Sequence, residues 1–507
     1  MAEQNPDGMA LIEPRSDRQV TWAEFDQWVD RVAQTLLGRG MMAGQRVGLV
    51  MANGIDLCVA YYGVLRCGMV AVPINPRSTV RELTRMVAEA APKILVADAQ
   101  SITQVRAAET GDAQIVVHRA AAEDGEIRFA ELLDKASGAR PMAPKDPELL
   151  AAVLFTSGAT AKPRGVMLSH RALIANVDQL QHISPPPLQA DDVILGLLPM
   201  FHVYGLNCIL SHAVRVGATV VLLDAFDPEY VLEQVVEQSI TDVPLAPAVI
   251  SKWVDLPQLR ESLAGVRRVI SGATTLEPEL AERFRLASGH AVEQGYGLTE
   301  TAPVITATFM KEREDGTSPT PGSVGWPIPG VEIELRDALG GPATPGDPAQ
   351  IWVRGDNLFS GYWPHGSGGP GPDGWWFTGD LGMFDANGEL SLVERMGEKI
   401  TVSGFGVYPS EVEEVLLEVP GIDQVAVVGV PHDVTGEAIV AFVVPTDSTA
   451  DEQEMVDAVN AYAQANLARF KRPGTVFVSA GLPHSPTGKV AKGRLRTLAR
   501  DAQTAGS

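Results

Sequence analysis

Leu149-Leu-Ala-Ala-Val-Leu-Phe155 runs directly into Thr156-Ser-Gly-Ala-Thr-Ala-Lys-Pro-Arg-Gly165. A short, uninterrupted apolar run followed by a Gly- and Pro-containing stretch predicts a buried strand and the loop it delivers. In the loop, Thr156, Ser157 and Thr160 offer hydroxyl donors, and Gly158 and Ala159 allow backbone N–H groups to approach a ligand. Lys162 and Arg164 add positive charge, which completes the parts of a polyphosphate cradle. The spacing is not that of the Gly-Lys-Ser/Thr phosphate loop, so a polar turn between a strand and a helix is the alternative.

Working outward, the same alternation recurs. Thr21-Trp-Ala-Glu24 reads as a capping box, and Phe25, Trp28, Val29, Val32 and Leu36 follow at helical spacing. Arg46–Met51 and Met69–Ile74 read as strands around a helix from about Asp56 to Arg66, which predicts a doubly wound, largely parallel sheet. Ala136 to Pro147 reads as a linker between subdomains. Strands over 219–223, 266–271 and 291–295 end in glycine or small residues, where open α/β sheets collect ligands. After Pro321 the pattern turns β-like and predicts a small barrel or curled sheet. From Met396 a last α+β unit is expected, with a helix after Pro409, strands near Val425 and Ile439, a helix from Glu452 to Leu467 and a strand near Val476.

Two further segments ask for related chemistry. Gly295-Tyr-Gly-Leu-Thr-Glu300 sets an aromatic face between glycines, then a hydroxyl and a carboxylate suited to a hard cation. Pro486-Thr-Gly-Lys489 puts a lysine on a glycine-containing turn. Singly, each has a structural alternative: a core tyrosine with Glu300 at a helix N-terminus, and one exposed cation among Lys489, Lys492, Arg494 and Arg496. In this order the three segments resemble the adenylate-forming superfamily of acyl- and aryl-CoA synthetases, luciferases and peptide-synthetase adenylation domains. The resemblance runs from Thr21 to about Leu498.

It implies an α/β fold. Residues 1–395 would form a large N-terminal region of two doubly wound α/β subdomains plus a β-rich one, and residues 396–507 a small, mobile α+β domain. The implied activity is an ATP-dependent acyl-CoA synthetase: acid and ATP give acyl-AMP and pyrophosphate, and CoA then takes the acyl group as a thioester. ATP and CoA would be substrates with Mg²⁺ as cofactor, and the acid a medium-chain fatty or aryl acid.

The implied nucleotide contacts are Thr156, Ser157, Gly158, Ala159, Thr160 and Lys162 for phosphates and Gly272, Ala273, Thr274, Gly295, Tyr296 and Gly297 around adenine. Asp380 and Arg395 would hold the ribose, and Glu300 the metal. Catalytic roles fall to Thr299 at the α-phosphate, Lys489 across the reacting anions and His202 beside the carboxylate. His202, Tyr204, Ile270, Ala273, Pro303 and Val304 would line the acyl pocket, and Ser403, Gly404, Phe405 and Gly406 the CoA channel, with Gly397 at the hinge. Relative to the family pattern, Ala159 replaces a hydroxyl residue, Ala161 a glycine and Arg164 a lysine, departures that bear on rate.

At 507 residues, more than one subdomain is expected, and the net charge of −23 opposes binding to nucleic acid or anionic membranes. A polyanion site must then be locally basic. Cys58, Cys67 and Cys208 lack metal-ligand spacing, and no run approaches the ~20 apolar residues of a membrane span, so a cytoplasmic enzyme is expected. Three alternatives stay open: loading of a carrier-protein phosphopantetheine, a catalytically silent nucleotide-binding homologue, and a luciferase-like oxidase. Phe201-His-Val-Tyr204 lacks the aspartate that amino-acid adenylation domains place there, which favours a simple acid.

Overall fold

The computed structural model describes residues 1–134, 141, 145–156, 164–273, 276–310, 319–344, 346–395, 400–402, 405–407, 409–432, 436–447, 449, 451–467, 469–485 and 488–505. The opening apolar run is the strand Leu150–Thr156 of a seven-stranded sheet. It pairs parallel with Val70–Pro73, whose other neighbour is Arg46–Val50. The strands before and after Ala136–Pro147 therefore share one sheet, so that stretch, largely outside the described residues, does not separate subdomains.

Beyond Thr156 the chain returns antiparallel as Arg164–Ser169, with Thr156 opposite Arg164. The cradle segment thus connects two strands, and the helix starts later, at His170–Gln181, where Ser169 Oγ accepts from Ala172 N–H. Val166 and Leu168 are fully buried, and their burial favours a strand where a helix was the alternative. The Thr21 capping box is present, and the helix it caps, Trp22–Gly38, buries Phe25, Val29, Val32 and Leu36.

The second sheet has thirteen strands. Val193–Gly196, Asp242–Leu245, Arg268–Ser271 and Val292–Gly297 run parallel. Val292–Gly297 then takes Val304–Ala307 as an antiparallel partner, and the β-rich stretch continues from that edge. The expected barrel or curled sheet is thus an antiparallel extension of the second sheet. Gly297 permits the junction, because a Cβ there would lie 1.7 Å from the Pro303 carbonyl oxygen.

The largest apolar core lies between the sheets. It joins Val47 and Leu49 of the first to Val220 and Leu222 of the second, through helices Trp22–Gly38 and Ile55–Arg66. Two further cores cover the outer faces. The last part of the chain has a five-stranded sheet that includes Ile422–His432, Gly436–Pro445 and Thr475–Val478, with helices Pro409–Leu417 and Glu452–Asn466. Its final helix, Lys492–Ala505, was not expected; Lys492 of the basic cluster pairs with Glu413 at 3.0 Å. Among the described residues, no helix is long and apolar enough to cross a membrane.

Candidate active site

A cavity of about 630 Å³ opens where the ends of both sheets meet the Lys489 turn. The first sheet contributes Phe155 and Thr156, and the second contributes Ile270, Gly272 and Gly295–Gly297. Gly272 is needed for packing, since a Cβ would meet the Tyr204 ring at 2.6 Å. Ala273 has φ +73°, a left-handed conformation that disfavours alanine and marks a constrained backbone at the cavity wall. Arg77, Arg164 and Lys489 also line the space, giving it cations despite the acidity of the chain.

Tyr296 lines this cavity and meets Asp380, 84 residues further along the chain. Tyr296 Oη donates to Asp380 Oδ2 at 2.6 Å, and both side chains are buried. The Asp380 N–H donates to Thr378 Oγ1 at 3.1 Å, and the ladder sets Asp380 opposite Arg395. The buried carboxylate is thus held by the hydroxyl of a tyrosine that itself lines the cavity.

Glu300 lies on a short turn, Thr299–Thr301, rather than at the start of a longer helix. Its Oε1 accepts from Tyr362 Oη at 2.8 Å, while Arg164 sits 5.0 Å from the Tyr362 ring centroid. Burial, followed by the Glu300 charge, raises the phenol's pKa, so Tyr362 remains a donor. One anchored carboxylate at a cavity wall fits Mg²⁺, which uses one or two protein carboxylates and takes its other oxygens from phosphate and water.

His202 also lines the cavity, and its Nδ1 accepts the Tyr204 N–H at 3.3 Å. Burial, then the nearby Lys489 charge, lowers its pKa to about 4. At neutral pH the ring is therefore uncharged, with its single proton on Nε2. The loop feeds a π-helical segment, Tyr204–Ser211, and Gly205 packs where a Cβ would meet the Pro199 carbonyl oxygen at 2.4 Å. Lys489 enters on a tight turn: Ser485 N–H donates to the Lys489 carbonyl at 2.7 Å, and Lys489 N–H donates to Ser485 Oγ at 3.2 Å. Gly488 supplies φ +83°, which a side chain would resist.

The cavity therefore gathers Thr156, His202, Tyr204, Ile270, Gly272, Ala273, Gly295, Tyr296, Gly297, Thr299, Glu300, Pro303, Val304 and Lys489 of the expected residues. Ser157, Gly158, Ala159, Thr160, Lys162, Thr274, Gly397, Ser403 and Gly404 lie outside the described residues. Phe405 and Gly406 belong to the strand Phe405–Val407, opposite Val402 and Thr401.

Tyr362 was not anticipated, nor was Asn53. The Asn53 amide donates to the carbonyls of Gly196 (3.1 Å), Leu198 (3.0 Å) and Leu223 (3.2 Å), and its Oδ1 accepts Met200 N–H at 2.9 Å. It ties the end of the first sheet to the loop that carries His202. An asparagine next to a glycine after a strand signals only a turn, so its long-range partners were invisible. Asn53→Ala should lower stability by about 2 kcal/mol by leaving these carbonyls unpaired, and kcat by roughly 10-fold. Urea unfolding and pyrophosphate release would measure the two effects.

Residues 1–363 match the family model "AMP-binding enzyme", and residues 411–489 match "AMP-binding enzyme C-terminal domain". The chain belongs to the AMP-binding enzyme family, in its adenylate-forming acyl- and aryl-CoA synthetase branch. It is 32% identical over 498 residues to 4-coumarate–CoA ligase 3 of Oryza sativa subsp. japonica, covering 96% of this chain and 88% of that one. It is 30% identical over 497 residues to the long-chain-fatty-acid–CoA ligase of Bacillus subtilis (strain 168), covering 92% and 87%. Among solved structures it matches ATP-bound MatB from Rhodopseudomonas palustris with TM-score 0.86 and 30% identity, over 98% of this chain and 97% of that chain. The apo form of MatB gives 0.74 at the same identity and coverage. The arrangement here is thus nearer to the nucleotide-bound form of that enzyme.

Proposed function

We propose that this chain adenylates a medium-chain or aryl carboxylic acid and passes the acyl group to CoA. The observation that carries this reading is the meeting of His202, Thr299 and Lys489 in the cavity whose wall bears Tyr296, the tyrosine that donates to the buried Asp380. In the first step an acid oxygen attacks the α-phosphorus of ATP, the bond to the bridging oxygen breaks, and pyrophosphate leaves. The acid is ionised at neutral pH, so no general base is required. The barrier is dominated by two anions meeting, which the Lys489 ammonium relieves. His202 Nε2–H orients the acid without adding charge, and Thr299 donates to the α-phosphate. Bound at Glu300, Mg²⁺ would neutralise charge on the departing phosphates. In the second step the CoA thiol, its proton released to solvent, attacks the acyl carbon through sulfur; the bond from that carbon to the phosphate oxygen breaks and AMP leaves with the electron pair. By this reading residues 396–507 move as a domain between the two steps.

Pyrophosphate release across a panel of aryl and C6–C12 fatty acids, with thioester product followed by mass spectrometry, tests the reading; release with none of them would overturn it. Asp380→Ala should weaken ATP binding by roughly 10- to 100-fold, because a buried carboxylate that accepts ribose hydroxyls loses charged hydrogen bonds. Calorimetric titration of the folded variant with unchanged ATP affinity would remove Asp380 from that role.

A further inference from the structure

The Glu300 carboxylate presents two unlike oxygens. Oε1 accepts the Tyr362 hydroxyl at 2.8 Å, while Oε2 has no donor among the described residues, although the residue is only 9% exposed. Tyr362 therefore fixes one oxygen and leaves the other to the cavity that both residues line. A phenol is neutral at pH 7, so it orients a carboxylate without cancelling its charge. A lysine or arginine in the same place would compete with any cation brought to the site.

Tyr362 is itself held from two sides. On one, the Phe359 N–H donates to the Glu300 carbonyl at 2.9 Å, and the buried Phe359 ring meets the Tyr362 ring edge-on, with 5.1 Å between centroids. On the other, residues 360–363 run beside the strand Arg164–Ser169, with Val166 opposite Tyr362. Ser360 N–H donates to the Met167 carbonyl (2.9 Å), Met167 N–H to the Gly361 carbonyl (3.1 Å) and Trp363 N–H to the Gly165 carbonyl (2.7 Å). The Trp363 indole then donates to the Glu89 carbonyl at 2.9 Å. The tyrosine is thus pinned between the turn that carries Glu300 and the strand that follows the cradle segment.

Arg164 completes the connection. It starts that strand opposite Thr156, and its guanidinium lies over the Tyr362 ring, 5.0 Å from the centroid. A planar guanidinium can stack on a ring while its N–H groups stay available to an anion, which the lysine of the family pattern does less well. Residues 157–163 of the cradle lie between Thr156 and Arg164 in the sequence. One aromatic side chain therefore joins the segment suited to polyphosphate to the carboxylate suited to a divalent cation.

We infer that Tyr362 is a positioning residue that couples cation binding at Glu300 to nucleotide binding at the cradle. This rests on the ligase reading above and deepens its account of the metal. Groups that hydrogen-bond a ligating carboxylate are typically worth about 10- to 100-fold in metal affinity. Because coupling is reciprocal, the same factor belongs to the nucleotide's affinity when the metal is present and disappears when it is absent.

The test is calorimetric titration of the full-length enzyme with an ATP analogue whose α,β-bridging oxygen is a methylene, once with Mg²⁺ and once with EDTA. Nothing turns over, so the ratio of the two affinities reads the coupling alone. Tyr362→Phe keeps the ring and removes one oxygen; it should lower that ratio by about 10-fold while the affinity in EDTA stays at the wild-type value. Arg164→Lys keeps the charge but loses the stacked plane, and on this exposed side chain it should lower the ratio by a smaller factor even if Tyr362→Phe folds poorly. Glu300→Gln sets the full scale of the loss. A ratio unmoved by Tyr362→Phe where Glu300→Gln lowers it would overturn the inference, as would an equal fall in both conditions, the mark of a merely structural role. A ratio unmoved by Glu300→Gln would take the cation away from Glu300 and the coupling with it. Wild type that binds the analogue in neither condition would sink the ligase reading itself, so the two failures are distinguishable.

Discussion

Replacing Lys489 with alanine is expected to slow acyl-AMP formation by about 10²- to 10³-fold, the size seen when one pre-organised electrostatic donor is removed from a transition state. The lysine lines the cavity with His202 and Thr299, and its charge lowers the His202 pKa. Its backbone is fixed by the reciprocal bonds to Ser485, so the truncation should leave the turn intact. Thioester formation from supplied acyl-AMP should largely survive, because phosphoanhydride cleavage has already occurred. Wild-type acyl-AMP formation by the variant in a single-turnover assay would remove Lys489 from the chemistry.

Gly297→Ala should be nearly as damaging for a different reason. The added Cβ would stand 1.7 Å from the Pro303 carbonyl oxygen and 2.6 Å from its carbon, both backbone atoms that cannot rotate away. Either the Val292–Gly297 strand or the Pro303 segment must shift, and both line the site. Overpacking of this kind costs about 1–3 kcal/mol or more in stability, and a displacement of about 1 Å near reacting groups can cost 10²-fold in rate. A variant with wild-type thermal stability and unchanged pyrophosphate release would show that the junction is softer than its geometry implies.

Much of this architecture was legible in the chain. The capped helix at Thr21, the strand into Thr156 and the strand read as ending at Gly295, which runs on to Gly297, rest on local signals: a side-chain cap, an apolar run, a glycine boundary. The hairpin after the cradle segment was not legible, because Arg164–Ser169 becomes a strand by pairing with Leu150–Thr156, and pairing is a tertiary fact. The same limit hid the antiparallel extension of the second sheet. At the site, motif residues such as Tyr296 and Glu300 could be named in advance, but their partners could not. Tyr362 sits in a Gly/Pro-rich stretch, 62 residues from the Glu300 it anchors.

The way the apolar clusters divide has a mechanical consequence. Every buried apolar residue in the three cores of the larger part precedes position 391, and every one in the two cores of the C-terminal part lies at 400 or later. A swivel about the intervening stretch would tear no cluster among the described residues, because none of these straddles it. Its cost is confined to surface contacts such as the approach of Lys489 to the cavity, and these strengthen or weaken with ionic strength. On the proposed reading the protein would resemble a vice with one fixed jaw: the half that grips the acid need not deform while the other half changes tools.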